Sequence, residues 1–435
     1  MYMKSKIKFL CLFFVIVAHN ASSQNSFSLQ DCIDYALSHN RDVNVSELQI
    51  QDAYCDLKAK LYSRLPSVYA QIDNSLTSGY EPVSDGNGSV DYLHANNYNN
   101  QASLQMSLPI WTEETDRNSR EVYRINAEAT KAESDYRKLQ VKLDVLDKYY
   151  TLALTQIKHK IAVEKTILQD STYVITQKLF TIGRKAMKDV IDAQLNLEQD
   201  THNTLLEQDN VEVAMSDLKK TMNYEGALSI DTAFHHVENE SIENIVESVF
   251  EKHPYIAMES LLLAASEKEK KSIKRERMPS VFFNASTGTS AVKNLRNENP
   301  DIAEQWKHNV YGQVCVDVKV PIFSRLETKV KLEKNDIKIN QSKETISKVK
   351  ENVKNEIETI ILDIKHGVES VNRLNKLLSL ANEEYQMALV DYKLGNIASY
   401  ELNVYKNNYI STSLQLAQAR CLLEYKNAKL NIYLE

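Results

Sequence analysis

Hydrophobic positions keep helical spacing from Leu29 to Leu65, with Ser28 placed to cap the first turn and Pro66 to end the run. The period then becomes two. In "SVYAQIDNSLT", Val68, Ala70, Ile72 and Leu76 alternate with Ser67, Tyr69, Gln71, Asp73 and Ser75, which is strand spacing. A polar stretch with Gly79, Pro82, Gly86 and Gly88 follows. Alternation resumes in "QASLQMSLPIW", where Ala102, Leu104, Met106, Leu108 and Ile110 share one side. From about Thr112 to Ile182 the pattern is helical again and free of proline. Ile125, Ala129, Ala132, Tyr136, Leu139, Leu143, Leu146, Tyr150, Ala153 and Ile157 keep an unbroken 4,3 spacing. A heptad repeat held this long predicts left-handed coiling against a neighbouring helix, and some 70 residues would reach roughly 105 Å. Gly183 ends the segment, and a second helical pattern runs on to about Tyr224.

The same order then returns. Leu65-Pro66-Ser67 matches Met278-Pro279-Ser280, Leu108-Pro109-Ile110 matches Val320-Pro321-Ile322, and Ile182-Gly183 matches Leu394-Gly395, at shifts of 213, 212 and 212 residues. Val281, Phe283 and Ala285 alternate with their neighbours, as do Val310, Gly312, Val314, Val316, Val318, Val320 and Ile322. A second long helical segment, Ser324 to Leu394, carries its own heptads from Val353 to Tyr392, and a further helix reaches about Tyr433. A constant shift across such separated landmarks predicts two tandem copies of one structural unit, over 24–222 and 242–435, joined by a linker at 223–241. The two glycines fall where antiparallel helices must turn, and a residue tolerant of positive φ closes a helix there.

Composition narrows the function. Only 9 Gly and 7 Pro among 435 residues favour long elements with few turns, and a net charge of −7 without a Lys/Arg block gives no electrostatic footprint for nucleic acid. Lys4, Lys6 and Lys8, an apolar run from Phe9 to Ala18 and a small-residue site at Ala21-Ser22-Ser23 predict a secretory signal peptide over 1–23. Cys11 lies inside the apolar run instead of at its end, so no lipid anchor is read from it. Cys32, Cys55, Cys315 and Cys421 are widely and unevenly spaced, which predicts buried free thiols and no metal or redox motif. His235-His236 with Glu238 and Glu240 reads as a solvated loop. No nucleophile, phosphate-loop or zinc-protease motif appears, so neither an enzyme nor a cofactor is expected.

Four strands of about ten residues, apolar on one face and polar on the other, have the length and dyad pattern of outer-membrane strands. Four cannot close a barrel, and an open edge is not viable in lipid, so several chains would have to share one. Trp111 and Phe323 stand at equivalent strand-to-helix junctions and Trp306 at the opposite end, as membrane-interface aromatics would. The polar stretches Ser78 to Asn97 and Gly288 to Lys307 are expected as outward loops. The competing reading is a secreted periplasmic coiled-coil scaffold without a pore.

This duplicated order resembles the TolC-like outer-membrane efflux protein family. The residues that carry the likeness are "SLQDCIDYALSHN" at Ser28 to Asn40, "LPS" at Leu65 and "MPS" at Met278, "LPIW" and "VPIF" at the strand ends, "NR" at Asn40-Arg41 with "HP" at His253-Pro254, and the two glycine turns. The resemblance implies a mainly α fold with a membrane β-barrel portion. In it, a homotrimer contributes four strands per chain to a twelve-stranded barrel in the outer membrane and continues as a helical tunnel in the periplasm. It implies a passive exit duct of a tripartite efflux or type I secretion system, served by a periplasmic membrane-fusion adaptor and an inner-membrane RND or ABC pump. Thr181, Ile182, Gly183, Arg184, Lys393, Leu394, Gly395 and Asn396 then correspond to adaptor-contacting tips, and Asp189, Asp192 and Glu401 to a periplasmic constriction. Departures are visible: no glycine follows "PIW" or "PIF", Val404 stands where a second acidic position would fall, and Ile397 replaces a basic latch residue. Arg184, Lys185 and Lys188 are instead placed to pair with Glu401.

Overall fold

The computed structural model describes residues 26–84, 90–112, 115–231, 242–294, 301–323 and 326–435. The signal segment, the His235-His236 pair and most of the linker lie outside them. The first half runs α1 (Leu29–His39), α2 (Arg41–Tyr62), β1 (Ser67–Ser84), β2 (Val90–Trp111), α3 (Arg117–Thr181) and α4 (Met187–Met222). The second runs α5 (Ile242–Lys252), α6 (Pro254–Arg275), β3 (Ser280–Asn294), α7 (Ile302–His308), β4 (Tyr311–Lys319), α8 (Glu327–Leu394) and α9 (Ser399–Leu434). The helices of the first half are 11, 22, 65 and 36 residues long, and their counterparts in the second are 11, 22, 68 and 36. The two halves thus repeat one order of elements at nearly equal helix lengths, the second carrying the extra helix α7.

The single helix expected from Leu29 to Leu65 is two. Ser28 and Asp31 form the capping box that starts α1. Asn40 then turns extended (ψ 133°), and its Oδ1 accepts the Asp42 N–H at 2.8 Å, so one side chain ends α1 and caps α2. The same break recurs in the second half, where Pro254 opens α6 at the one position that has no N–H to waste. Asn40 has a helical neighbourhood on both sides, which is why the helical period runs through it.

By internal packing the chain forms two compact units, and each takes pieces from both halves. One comprises residues up to Leu48, Ala132–Ala257 and Lys348–Glu435; the other comprises Gln49–Lys131 and Met258–Ser347. The first unit is helical. Cys32, Ile33 and Ala36 of α1 pack with Val145, Leu146 and Leu152 of α3 and with Leu218 and Met222 of α4. Ile357, Ile360 and Ile364 of α8 meet Val249 of α5 and Leu423 and Leu430 of α9. Leu146, Ile357, Ile360 and Ile364 are heptad positions read from the sequence. Burial pushes the Cys32 thiol up to about 12 and the Cys421 thiol to about 11, so both behave as small apolar groups. Against expectation, Cys55 is exposed and Cys315 only half-buried.

The second unit holds one four-stranded antiparallel sheet in the order β1-β2-β3-β4. Two of its strands far exceed the ten residues expected: β1 has 18 and β2 has 22. Much of the stretch Ser78 to Asn97, expected as a loop, is a continuation of this hairpin, with Ser78 opposite Asn96 and Glu81 opposite Leu93. Glu81 accepts from Asn97 Nδ2 at 2.9 Å, and Ser78 donates to Asn96 Oδ1 at 2.7 Å. Backbone pairing, once started, propagates through a segment that mixes polar residues with Tyr80, Tyr92 and Val90 on one face and with Val83 and Leu93 at the alternate positions, and such a segment carries no clean alternation to read.

Candidate functional site

Register decides what the sheet presents. Val68, Met106, Ala285 and Val314 form one row across all four strands, and Leu108, Phe283 and Val316 another. The opposite rows are polar: Tyr69, Gln105, Ser286 and Gln313, then Ser67, Ser107, Asn284 and Cys315. On the polar face Tyr69 donates to Gln105 at 2.8 Å, Gln101 to Tyr311 at 3.0 Å, and Asn284 to Asp317. Apolar side chains on the other face stay exposed, with Val68 at 59%, Ile72 at 67% and Val314 at 69%. Met106, Leu108 and Phe283 in the middle strands are half-buried; burying such residues is the ordinary outcome of folding, so a broad apolar face left uncovered along β1 and β4 is a surface for another medium. No helix of the described residues is long and apolar enough to cross a membrane.

The junction aromatics fall at different depths of this arrangement. A β-bulge between Pro109 and Trp111 sets Trp111 opposite Val281, which returns its side chain to the apolar face. Arg275 lies over its ring at 4.2 Å. Phe323 is exposed after β4, whereas Trp306 belongs to α7, a helix that the sequence pattern did not indicate. Within Gly288 to Lys307, β3 therefore runs on to Asn294 and α7 folds against it. Thr289 donates to Trp306 O at 2.8 Å and Asn309 to Ser290 O at 2.8 Å.

The two glycine turns are matched in detail. Gly183 has φ +76° and Gly395 φ +84°. Arg184 N–H donates to Leu179 O at 2.8 Å and Gly183 N–H to Phe180 O at 2.8 Å; Asn396 to Asp391 O and Gly395 to Tyr392 O repeat the pair at 2.9 and 3.0 Å. Both are Schellman closures, which need a left-handed residue after the helix. Thr181, Ile182, Gly183, Arg184, Lys393, Leu394, Gly395 and Asn396 are all exposed. The tips lie side by side: Arg184 Nη1 donates to Leu394 O at 3.2 Å and Lys185 Nζ to Ile397 O at 3.1 Å, with the Lys185 cation 5.0 Å from the Tyr392 ring centre. For Arg184 and Lys185 the expected pairing with Glu401 is thus replaced. Among the described residues Glu401 forms no ion pair, while Arg184 and Lys185 reach backbone carbonyls of the second turn. Glu401 instead holds the Tyr400 phenol above its ordinary value through a hydrogen bond.

Asp189 and Glu401 occupy the same third position of α4 and α9. Asp189 Oδ2 accepts the Ala186 N–H at 3.0 Å and so starts its helix. Asp192, one turn on, is exposed. Above the tips lies a cluster that sequence reasoning missed. Lys406 of α9 reaches Asp200 of α4 at 3.7 Å and also bonds Gln169 of α3; Lys165 meets Asp200 at 2.8 Å, and Gln169 Nε2 donates to Ala193 O at 3.0 Å. Burial lowers the Lys406 ammonium to about 8, with Asp200 resisting the shift. A lysine among Ser399, Leu402 and Ile410 at seam spacing was the available signal.

Against this geometry, residues 32–223 match the outer membrane efflux protein family. The fold matches the outer-membrane channel OprN with TM-score 0.76 and 17% identity, over 93% of this chain and 89% of that one. The first half of the chain is thus similar in sequence to outer membrane efflux proteins, and nearly the whole of it is similar in fold to an outer-membrane channel. The outer membrane protein VceC of Vibrio cholerae gives 0.73 at 14% identity over 93% and 95% of the two chains. The open-state MtrE outer membrane channel of Neisseria gonorrhoeae gives 0.71 at 16% over 93% and 88%. No curated protein matches in sequence. The sequence match spans α1 to α4, and the fold match extends the likeness to the second half.

Proposed function

We propose that the chain is the outer-membrane exit duct of a tripartite efflux or type I secretion system. Solutes pass through it passively, driven by an inner-membrane RND or ABC pump. The observation that carries this reading is the sheet whose apolar face is exposed along β1 and β4 and half-exposed along much of β2 and β3, with two free edges, since among the described residues β1 pairs only with β2 and β4 only with β3. In a hydrocarbon layer each unpaired backbone group costs several kcal/mol, so the edges require further strands. Three copies supply twelve, placing the apolar rows against lipid and the polar rows around the lumen. Exposed apolar residues at seam spacing on the helices, Met187, Ile191 and Leu195 on α4 and Leu380, Met387 and Leu394 on α8, support a second copy as neighbour.

In this arrangement the helices extend into the periplasm, and the exposed tips Thr181 to Arg184 and Lys393 to Asn396 meet a membrane-fusion adaptor. Asp189, Asp192 and Glu401 ring the closed end, while Trp111, Trp306 and Phe323 mark the membrane interfaces. The domain reading holds each copy, 24–222 and 242–435, as one contributor to barrel and tunnel. A pore-free periplasmic scaffold would have no use for the uncovered apolar rows. Planar-bilayer recordings and heat-resistant trimers in detergent test the duct; a water-soluble monomer without conductance would overturn it.

A further inference from the structure

Where α5 gives way to α6, His253 is 7% exposed, and its Nδ1 has no hydrogen-bond partner among the described residues. It lies in the wall of two recesses at once. One, of about 500 Å³, is lined by Asp42, Tyr136, Arg137, Asp144, Tyr255 and Glu356; the other, of about 380 Å³, has an apolar floor of Leu37, Ala132, Leu139 and Ile432, with Lys142 paired to Glu435 at 2.6 Å and Lys252 donating to Leu434 O in its wall. Tyr433 and Leu139 also belong to both walls. An acidic, aromatic compartment therefore adjoins an apolar slot.

The charges of the larger recess do not cancel. Glu356 is paired with Lys429 at 2.8 Å; Arg137, which donates to the neutral Gln140 at 2.9 Å, keeps its charge, so Asp42 and Asp144 leave the lining with one negative charge in excess. Asp42 and Asp144 have no ion pair among the described residues. The Asp144 carboxyl is held above its usual range by burial first and then by Asp147, with Asp42 adding to this and Lys148 opposing it. Burial lowers the His253 imidazole, so it stands neutral at neutral pH and repels no cation. Tyr136 lies 4.8 Å from Tyr255 and 6.2 Å from His253, and His253 lies 6.2 Å from Tyr433, measured between ring centres. Among the described residues no group of three His, Cys, Asp or Glu can hold a metal ion. Carboxylates beside aromatic faces, next to an apolar slot, fit an organic cation.

We propose that these adjoining recesses bind a protonated amine carrying an apolar body. The ammonium sits between Asp42, Asp144 and the Tyr136 ring, donates to His253 Nδ1, and its apolar part fills the slot of Leu37, Ala132, Leu139 and Ile432. The His253 proton is then on Nε2. This goes beyond a passive duct, because it gives the wall a station for one chemical class of solute.

Dansylcadaverine, a fluorescent primary amine, is titrated into the full chain in lipid nanodiscs, with its N-acetyl derivative as the uncharged control for partition into lipid. Saturable binding of the amine is expected, weakened about tenfold in the Asp42→Asn/Asp144→Asn double variant and also in His253→Phe, whereas the acetylated dye does not distinguish the three proteins. Equal titration by both dyes, or by wild type and double variant, overturns the site. The Asn replacements keep size and shape, and helicity measured on the same samples verifies folding. The titration needs neither adaptor nor conductance, so its failure leaves the duct reading standing.

Discussion

Lys406 Nζ of α9 stands 3.7 Å from Asp200 Oδ2 of α4, and the lysine is 2% exposed. One buried ion pair thus joins the second helical hairpin to the first, with Gln169 and Lys165 of α3 completing its shell.

Removing one partner of a buried pair strands the other. Asp200→Ala is expected to destabilise by about 3–5 kcal/mol, because the Lys406 charge is left in an apolar seam. Lys406→Met costs much less, since Asp200 keeps Lys165 at 2.8 Å. Thermal midpoints of the two variants in detergent read this asymmetry; equal losses would show that the pair is not what matters.

The pH dependence follows from the same lysine. Its folded value, about 8, lies below the ordinary 10.5, so between these values the unfolded chain binds more protons than the folded one. The burial penalty is therefore fully present below pH 8 and relieved as pH rises toward 10.5, by roughly 3 kcal/mol. Subtracting the pH profile of Lys406→Met isolates this gain; a flat difference across the window would sink it.

Gly183→Ala and Gly395→Ala should each destabilise by about 1–2 kcal/mol, because each forces a Cβ into left-handed backbone. Neither glycine has a neighbour that an added methyl would strike, so the cost is conformational and not steric. Replacement of either by Asn, which tolerates positive φ, should recover much of the loss in the same melting experiment.

Gln305 makes a paired contact with a strand edge: its Nε2 donates to Val292 O and its Oε1 accepts from Val292 N–H, both at 3.0 Å. Pairing of β4 with β3 stops at Gly288, so the carboxamide stands in for the missing strand. Gln305→Leu should accelerate amide hydrogen exchange at Val292 by about tenfold, the loss of one net hydrogen bond of ~1.4 kcal/mol, while Phe283 to Ser286 stay protected.

The acidic tip positions can be tested without unfolding the helices. Asp189→Asn keeps an oxygen for the Ala186 N–H, so with Glu401→Gln it removes charge at little cost in stability. Raised conductance or weaker block by divalent cations is expected in bilayer recordings, and unchanged currents would exclude these carboxylates from the gate.

Periodicity alone settled the long helices, the four strands and the turn glycines, since each rests on a local rule: heptads, alternation, and the need for positive φ. The duplicated arrangement was legible because two copies obey those rules at one shift. The break at Asn40 escapes periodicity, because one capping side chain leaves the helical period undisturbed. The mixed hairpin beyond Ser78 escapes it too, since a ladder held by backbone pairing writes no clean alternation into its sequence.

What only the tertiary structure decided are relations between residues far apart in the chain. Sequence placed cations beside the first glycine, but their choice of Leu394 and Ile397 carbonyls over Glu401 depends on how two tips lie together. It likewise showed a lysine in a seam without showing that Asp200 and Gln169 meet it. The reason is physical: backbone conformation is set by neighbours a few residues away, whereas charge pairing and cavity shape are set by which distant surfaces come into contact.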